Sequence, residues 1–241
     1  MGATLMAIRP RKIPTVIPID PVGCHEEFGI EEVTPHYWDE ACKHLIKRDR
    51  VMRKLIPQFG EARLQCRGDA FTTLVRSIVG QQISVAAAQA VWNRFVALLP
   101  DNAWAIQPQA VLSLGATLLR EVGFSARKIE YVTDLAQHFV SGAVHVNQWD
   151  TMMDEAIIDE LVAIRGIGRW TAEMFLIFHL MRPDVLPLDD VGLIKGIGLN
   201  YFSGEPVSRA EAREVAEAWA PYRSVATWYI WRSPDPSIVH Y

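Results

Sequence analysis

From Tyr37 onward the apolar residues return every three or four positions, and almost nowhere every second one. Tyr37 to Leu55 carries Trp38, Cys42, Leu45, Ile46, Val51 and Leu55 at that spacing. Asp69 can cap a helix through Phe71, Leu74, Val75, Ile78 and Val79. Ser84 can cap VAAAQAVWNRFVALL, which runs to Pro100, and Ser125 can cap ARKIEYVTDLAQHFV, which stops at Ser141-Gly142. Asp154 opens EAIIDELVAI, Arg169 opens WTAEMFLIFHLM, and Ser208 opens RAEAREVAEAWA. A last helix begins at Pro221 and passes through Trp231. Val144–Val146 is the one weak strand candidate. The pattern predicts an all-α fold of many helices with short connections.

The charge balance narrows the partners. Half of the 241 residues are hydrophobic, 22% are charged, and the net charge is -4. Such a chain does not coat nucleic acid indiscriminately, but it can carry a local basic face. Between residues 41 and 70, Lys43, Lys47, Arg48, Arg50, Arg53, Lys54, Arg63 and Arg67 face only three acids, Asp49, Glu61 and Asp69. A solvated helix face explains that excess as well as DNA contact does. Cys24, Cys42 and Cys66 are too dispersed for a metal pair and too few for a disulfide framework, which reads as reduced thiols in the cytoplasm. No apolar run is long enough for a membrane span. Residues 1 to about 34 hold Pro10, Pro14, Pro18 and Pro21, then Glu26, Glu27, Glu31 and Glu32, and read as an extended N-terminal extension.

The segment LVAIRGIGRWTA, residues 161–172, is the sharpest local motif. An apolar helix stops at Arg165, Gly166-Ile167-Gly168 makes a tight turn, and a second helix starts at once. Two glycines permit positive φ and leave room for an approaching backbone, while the second helix offers unpaired N–H groups and the positive end of its dipole. That is a phosphate site; the bland alternative is a plain turn between helices. Ile167 at the tip packs back between the helices. About one helix further on comes LPLDDVGLIK, residues 186–195. An Asp at a helix start is most often a cap, yet two adjacent acids need not share that task.

GIGRWTAEMF together with PLDD resembles the helix-hairpin-helix (HhH-GPD) DNA glycosylases, and more closely their DNA-3-methyladenine glycosylase II branch in its short, all-helical form. LVRSIVGQQISVAAAQAV, VGFSARKIEYVTDLA and PYRSVATWYIW follow the family's order. The resemblance covers roughly residues 35–235. It implies two helical subdomains, a barrel of about residues 70–178 and a second half of about 35–69 plus 180–241, with the active site in the cleft between them. It implies that Asp190 is the catalytic carboxylate and Asp189 a cap. Trp170, Tyr222 and Trp231 would line the base pocket. Gly166, Gly168 and Arg169 would hold the DNA backbone, and Gln82 would sit where the family wedges the duplex. Main-chain carbonyls of Val162, Ile164 and Gly166 would hold a monovalent cation; no other cofactor is required, and three cysteines exclude an iron–sulfur cluster.

Where lyase relatives carry a lysine, this chain has Trp170, which implies a monofunctional enzyme. The expected partner is double-stranded DNA containing alkylated bases, met by a monomer in the cytoplasm, at the nucleoid. An alkylated purine is cationic and leaves readily, so one carboxylate and aromatic faces suffice. Two other readings stay open: a glycosylase for a different purine lesion, and a helix-hairpin-helix protein that binds DNA without catalysis. Trp92, Trp104, Trp149 and Trp219 are assigned to packing. Trp228 and Trp231, three apart on one helix, could both be core, and so could His179 and Met174.

Overall fold

The computed structural model describes residues 34–65, 68–99 and 105–233. The N-terminal extension, Cys24, Cys66, Arg67, Pro100 and Trp104 lie outside the described residues. Every α or 3-10 element within them is helical, and no strand occurs among them. The weak strand candidate is instead a bend leading into a 3-10 turn, Val146–Gln148.

The helices are α1 (Trp38–Arg48), α2 (Arg50–Leu55), α3 (Ala70–Gly80), α4 (Val85–Val96), α5 (Pro108–Glu121), α6 (Ala126–Ser141), α7 (Asp154–Val162), α8 (Arg169–Phe178), α9 (Val191–Tyr201), α10 (Arg209–Glu217) and α11 (Arg223–Arg232). The expected caps form. Asp69, Ser84, Ser125 and Ser208 each accept a backbone N–H from the first turn, and Ser208 completes a capping box with Glu211. Gly142 ends α6 in the left-handed conformation.

Three boundaries differ from the sequence reading. Tyr37–Leu55 is two helices, because Asp49 turns extended and its carboxylate caps α2 through Val51 N and Met52 N. The last helix starts at Arg223, two residues after Pro221. Residues 108–121 form α5, a helix absent from the sequence reading; Gly115, at φ 71°, breaks its apolar period with a kink.

Packing falls into two groups. Helices α3 to α8 pack on one another through α3–α4, α3–α6, α3–α8, α5–α6 and α7–α8, whereas α1, α2, α9, α10 and α11 form a second set. The second set closes around α11, whose residues Ser224–Trp231 are all buried. Trp38 meets the edges of Trp228 there, and Trp219 is fully buried. Burying a large aromatic side chain of this kind contributes about 1.5–3 kcal/mol. The start of α9 lies where α8, from the first set, meets α11, from the second, since side chains of both reach Asp190.

Candidate active site and DNA interface

The hairpin forms as the glycines demand, though only one of them needs its freedom. Gly166 has φ 83°, and a Cβ there would lie 2.2 Å from the ring of Tyr131. Gly168 is extended at φ -95° and caps α8, with open space where its Cβ would be. Ile167 is buried. The α8 N-terminus has no side-chain cap, so its first-turn N–H groups and dipole face outward at exposed Gly168 and Arg169. Two contacts invisible in the sequence brace the hairpin: Asp134 accepts from Arg165 N at 2.8 Å, and Gln81 donates to the Gly166 carbonyl at 3.0 Å. Gln82 follows on the exposed tip of the α3–α4 turn with φ 59°, a strained value for a residue with a Cβ. The turn carrying Gln82 and the hairpin are therefore direct neighbours.

Arg169 holds its own acids. Its guanidinium makes two bonds to Glu155, at 2.9 and 2.5 Å, and one to Glu173 at 3.0 Å. Burial pushes the Glu173 carboxyl above its ordinary range, against the pull of Arg169, and its Oε2 has no partner. The carbonyls of Ile164 and Gly166 already accept from Ile167 N and Gln81. Each retains a second lone pair. Among the described residues no group of three or more His, Cys, Asp or Glu could hold a metal.

The second half of the site is a buried carboxylate. Asp190 is 3% exposed and caps α9. Its Oδ1 accepts from Leu193 N at 2.6 Å and from Trp231 Nε1 at 2.7 Å, and its Oδ2 from Trp170 Nε1 at 2.9 Å. The role given to Asp189 is corrected: Asp190 is the cap, while Asp189 is exposed and pairs with Arg209 at 2.6 Å. Val191 begins the helix, and the cap falls to the residue directly before it. Trp231 stacks on Phe178 with centroids 5.6 Å apart, and Trp170, 37% exposed, stands at the open side. Gly192 leaves room here, because a Cβ would lie 3.1 Å from Oδ1.

Tyr222 lies at the other end of α11 from Trp231. It stacks on Tyr37 and meets the edge of His44 at the start of α11, nine residues from Trp231. Helical rise separates the two backbones by roughly 13 Å along the axis. The basic excess is also displaced. Lys43, Lys47, Arg48, Arg50, Arg53 and Lys54 are exposed around the α1–α2 elbow. Asp49, at that elbow, binds Tyr201 at the far end of α9 from Asp190. Arg63 is paired with Asp39. Met174 is buried in the core and His179 is half-buried against Phe175; burial lowers the His179 pKa to about 4.

An uncapped hairpin helix beside a buried, indole-held carboxylate is suited to meeting a phosphate backbone and setting a negative charge beside it. Comparison with known proteins agrees. Residues 75–221 match the HhH-GPD superfamily of base excision DNA repair proteins, and the chain belongs to that superfamily. It is 31% identical over 196 residues to DNA-3-methyladenine glycosylase 1 of Schizosaccharomyces pombe, covering 81% of this chain and 82% of that one. The structure is similar to a DNA-3-methyladenine glycosidase from Bacillus halodurans (TM-score 0.75, 31% identity, 87% of this chain and 96% of that one). It is also similar to the S. pombe 3-methyladenine DNA glycosylase in complex with abasic DNA (TM-score 0.70, 29% identity, 84% and 98%). The chain is a DNA glycosylase with the all-helical fold of that superfamily.

Proposed function

We propose that this glycosylase hydrolyses the glycosidic bond of alkylated purines, 3-methyladenine among them, in double-stranded DNA, and that it has no lyase step. The observation that carries the reading is the buried Asp190 carboxylate, held by two indole N–H groups at 2.7 and 2.9 Å beside the uncapped α8 N-terminus. The relatives named for 3-methyladenine support the substrate class.

The hairpin N–H groups at Gly168 and Arg169, with the turn at Gly166, bind a backbone phosphate next to the lesion. A monovalent cation on the carbonyls of Val162, Ile164 and Gly166 would add positive charge against the same phosphate. Gln82, exposed beside the hairpin, enters the gap left when the nucleotide flips out. Trp170 and Trp231 present aromatic faces to the extruded cationic base, an attraction of about 0.5–2 kcal/mol. The C1′–N bond then breaks with its electron pair moving to the base, which departs neutral. The sugar is left as an oxocarbenium-like cation facing the Asp190 carboxylate. Water adds at C1′ and gives up its proton through Asp190 to solvent. The products are a free purine and an abasic site. No lysine follows the hairpin, since Trp170 stands there, so no Schiff base forms. The protein acts as a monomer at the nucleoid in the cytoplasm.

The test is release of free base from methylated duplex DNA by the wild type and by Asp190→Asn. The reading expects 3-methyladenine from the wild type and at least about a hundredfold less from the variant, with DNA binding retained. Equal release by both would overturn the role of Asp190. Binding without release by the wild type would overturn the alkylpurine reading.

A further inference from the structure

We propose that the indole N–H groups of Trp170 and Trp231 are positioning groups for Asp190, and that they divide its carboxylate into an anchored oxygen, Oδ1, and a working oxygen, Oδ2. The inference rests on the glycosylase reading and assigns the two tryptophans a task separate from stacking on the base.

An ionised carboxylate has about four acceptor directions. Oδ1 spends both of its own, on Leu193 N at 2.6 Å and Trp231 Nε1 at 2.7 Å. Oδ2 spends one, on Trp170 Nε1 at 2.9 Å. One direction is left, and it belongs to Oδ2. The donors differ in the same sense. Trp231 is 7% exposed and locked against Phe178, so its N–H is fixed by packing. Trp170 is 37% exposed and stands on the open side, so its N–H aims the oxygen that faces the cleft. Gly192 keeps the approach clear, since a side chain there would crowd Oδ1 and the Trp231 ring.

The division has a chemical consequence. Three N–H bonds hold the carboxylate in one place, as a fixed counter-charge for a cation in front of it. It suits a reaction in which the base leaves unaided and the sugar cation needs a counter-charge.

The test is single-turnover release of methylated purines by Trp170→Phe and Trp231→Phe, alone and combined with Asp190→Asn. Phenylalanine keeps an aromatic face and removes the N–H. The proposal expects each variant to lose roughly tenfold or more in maximal rate, with the half-saturating concentration within about twofold of wild type. In the Asp190→Asn background it expects no further loss. A weaker half-saturation at unchanged maximal rate would assign the rings to base stacking and overturn the proposal. So would an equal loss in the Asp190→Asn background. Should Trp231→Phe lose its cooperative thermal transition, Trp170→Phe, at the cleft edge, decides alone. A wild type that releases no methylated purine overturns the glycosylase reading itself; active wild type with unaffected Phe variants overturns only this inference.

Discussion

Two buried carboxylates lie at opposite ends of α9, and each is gripped by an indole. Asp49 caps α2 through Val51 N and Met52 N, and its Oδ2 accepts from Tyr201 OH at 2.9 Å and Trp219 Nε1 at 3.3 Å. Asp190 caps α9 and accepts from two indoles. The chemistry of the donors is nearly the same, but the count is not. Asp49 has four donors, and the indole also donates to the Tyr201 hydroxyl at 3.2 Å, so its acceptor capacity is filled. Burial and the Asp49 charge push the Tyr201 phenol well above its ordinary range, which keeps its proton in that bond. Asp190 has three donors, one of them from a partly exposed ring. A filled carboxylate is a staple; one with a direction left over can act on a ligand.

The largest expected contrast lies between the matched amide variants. Asp190→Asn reduces base release by roughly a hundred- to a thousandfold and lowers the melting transition less than the matched change at Asp49, because its amide nitrogen need face only the donor on the partly exposed Trp170. Asp49→Asn leaves release unchanged and lowers stability by about 1–3 kcal/mol, since an amide turns a donor toward donors. Chemical denaturation beside the release assay reads both, and a loss of catalysis in Asp49→Asn would erase the distinction between the sites. Truncation is harsher on the staple: Asp49→Ala strands two backbone N–H groups, an indole and a phenol, at a cost of about 3–5 kcal/mol. A denaturation midpoint unmoved by Asp49→Ala would show that water replaces the carboxylate, and the site would not be closed.

Most of the helices were legible because their signals are local. Asp69, Ser84, Ser125, Ser208 and Gly142 cap as read, and each cap depends only on residues within a turn. The readings that failed turn on a single residue or on the far end of an element. Asp49 sits inside an apolar helical period, and nothing nearby says that its carboxylate will leave the helix and cap the next. Asp189 and Asp190 differ by one position, and the cap follows the first helical residue, which packing decides. Gly115 hid α5 by breaking its period. At the site, Asp190, Trp170 and Trp231 are brought together, and the resemblance placed them. That two indole N–H groups would converge on one carboxylate was not legible, because the direction of a ring is set by tertiary neighbours such as Phe178. Tyr222 shares a motif with Trp231 but sits at the other end of the helix, against Tyr37 and His44.

Smaller perturbations test each site by one donor. Tyr201→Phe removes one of four bonds to Asp49 and leaves Trp219 to fill the gap. The expected cost is about 1 kcal/mol in stability with no change in release. A shift in release without a shift in stability would connect the staple to catalysis along α9.

The gentlest change concerns the hairpin rather than either carboxylate. Arg169 is half exposed and is held by Glu155, itself exposed, in a bidentate pair at 2.5 and 2.9 Å. A surface pair of this kind adds little to folding. Its weight falls on binding, because Glu155 places negative charge close to the uncapped α8 N-terminus and occupies the guanidinium that a phosphate would otherwise meet. Glu155→Gln removes that charge and leaves Arg169 on Glu173 alone. Affinity for undamaged duplex is expected to rise a few-fold at low salt, and the gain to shrink as salt is raised. Maximal release at saturating DNA is expected to stay at the wild-type value, since Asp190 and its donors are untouched. Fluorescence anisotropy across a salt series reads the first effect and single-turnover release the second. Unchanged affinity would mean that Arg169 remains on its acids when DNA is bound, and that the main-chain N–H groups of the hairpin meet the phosphate without it.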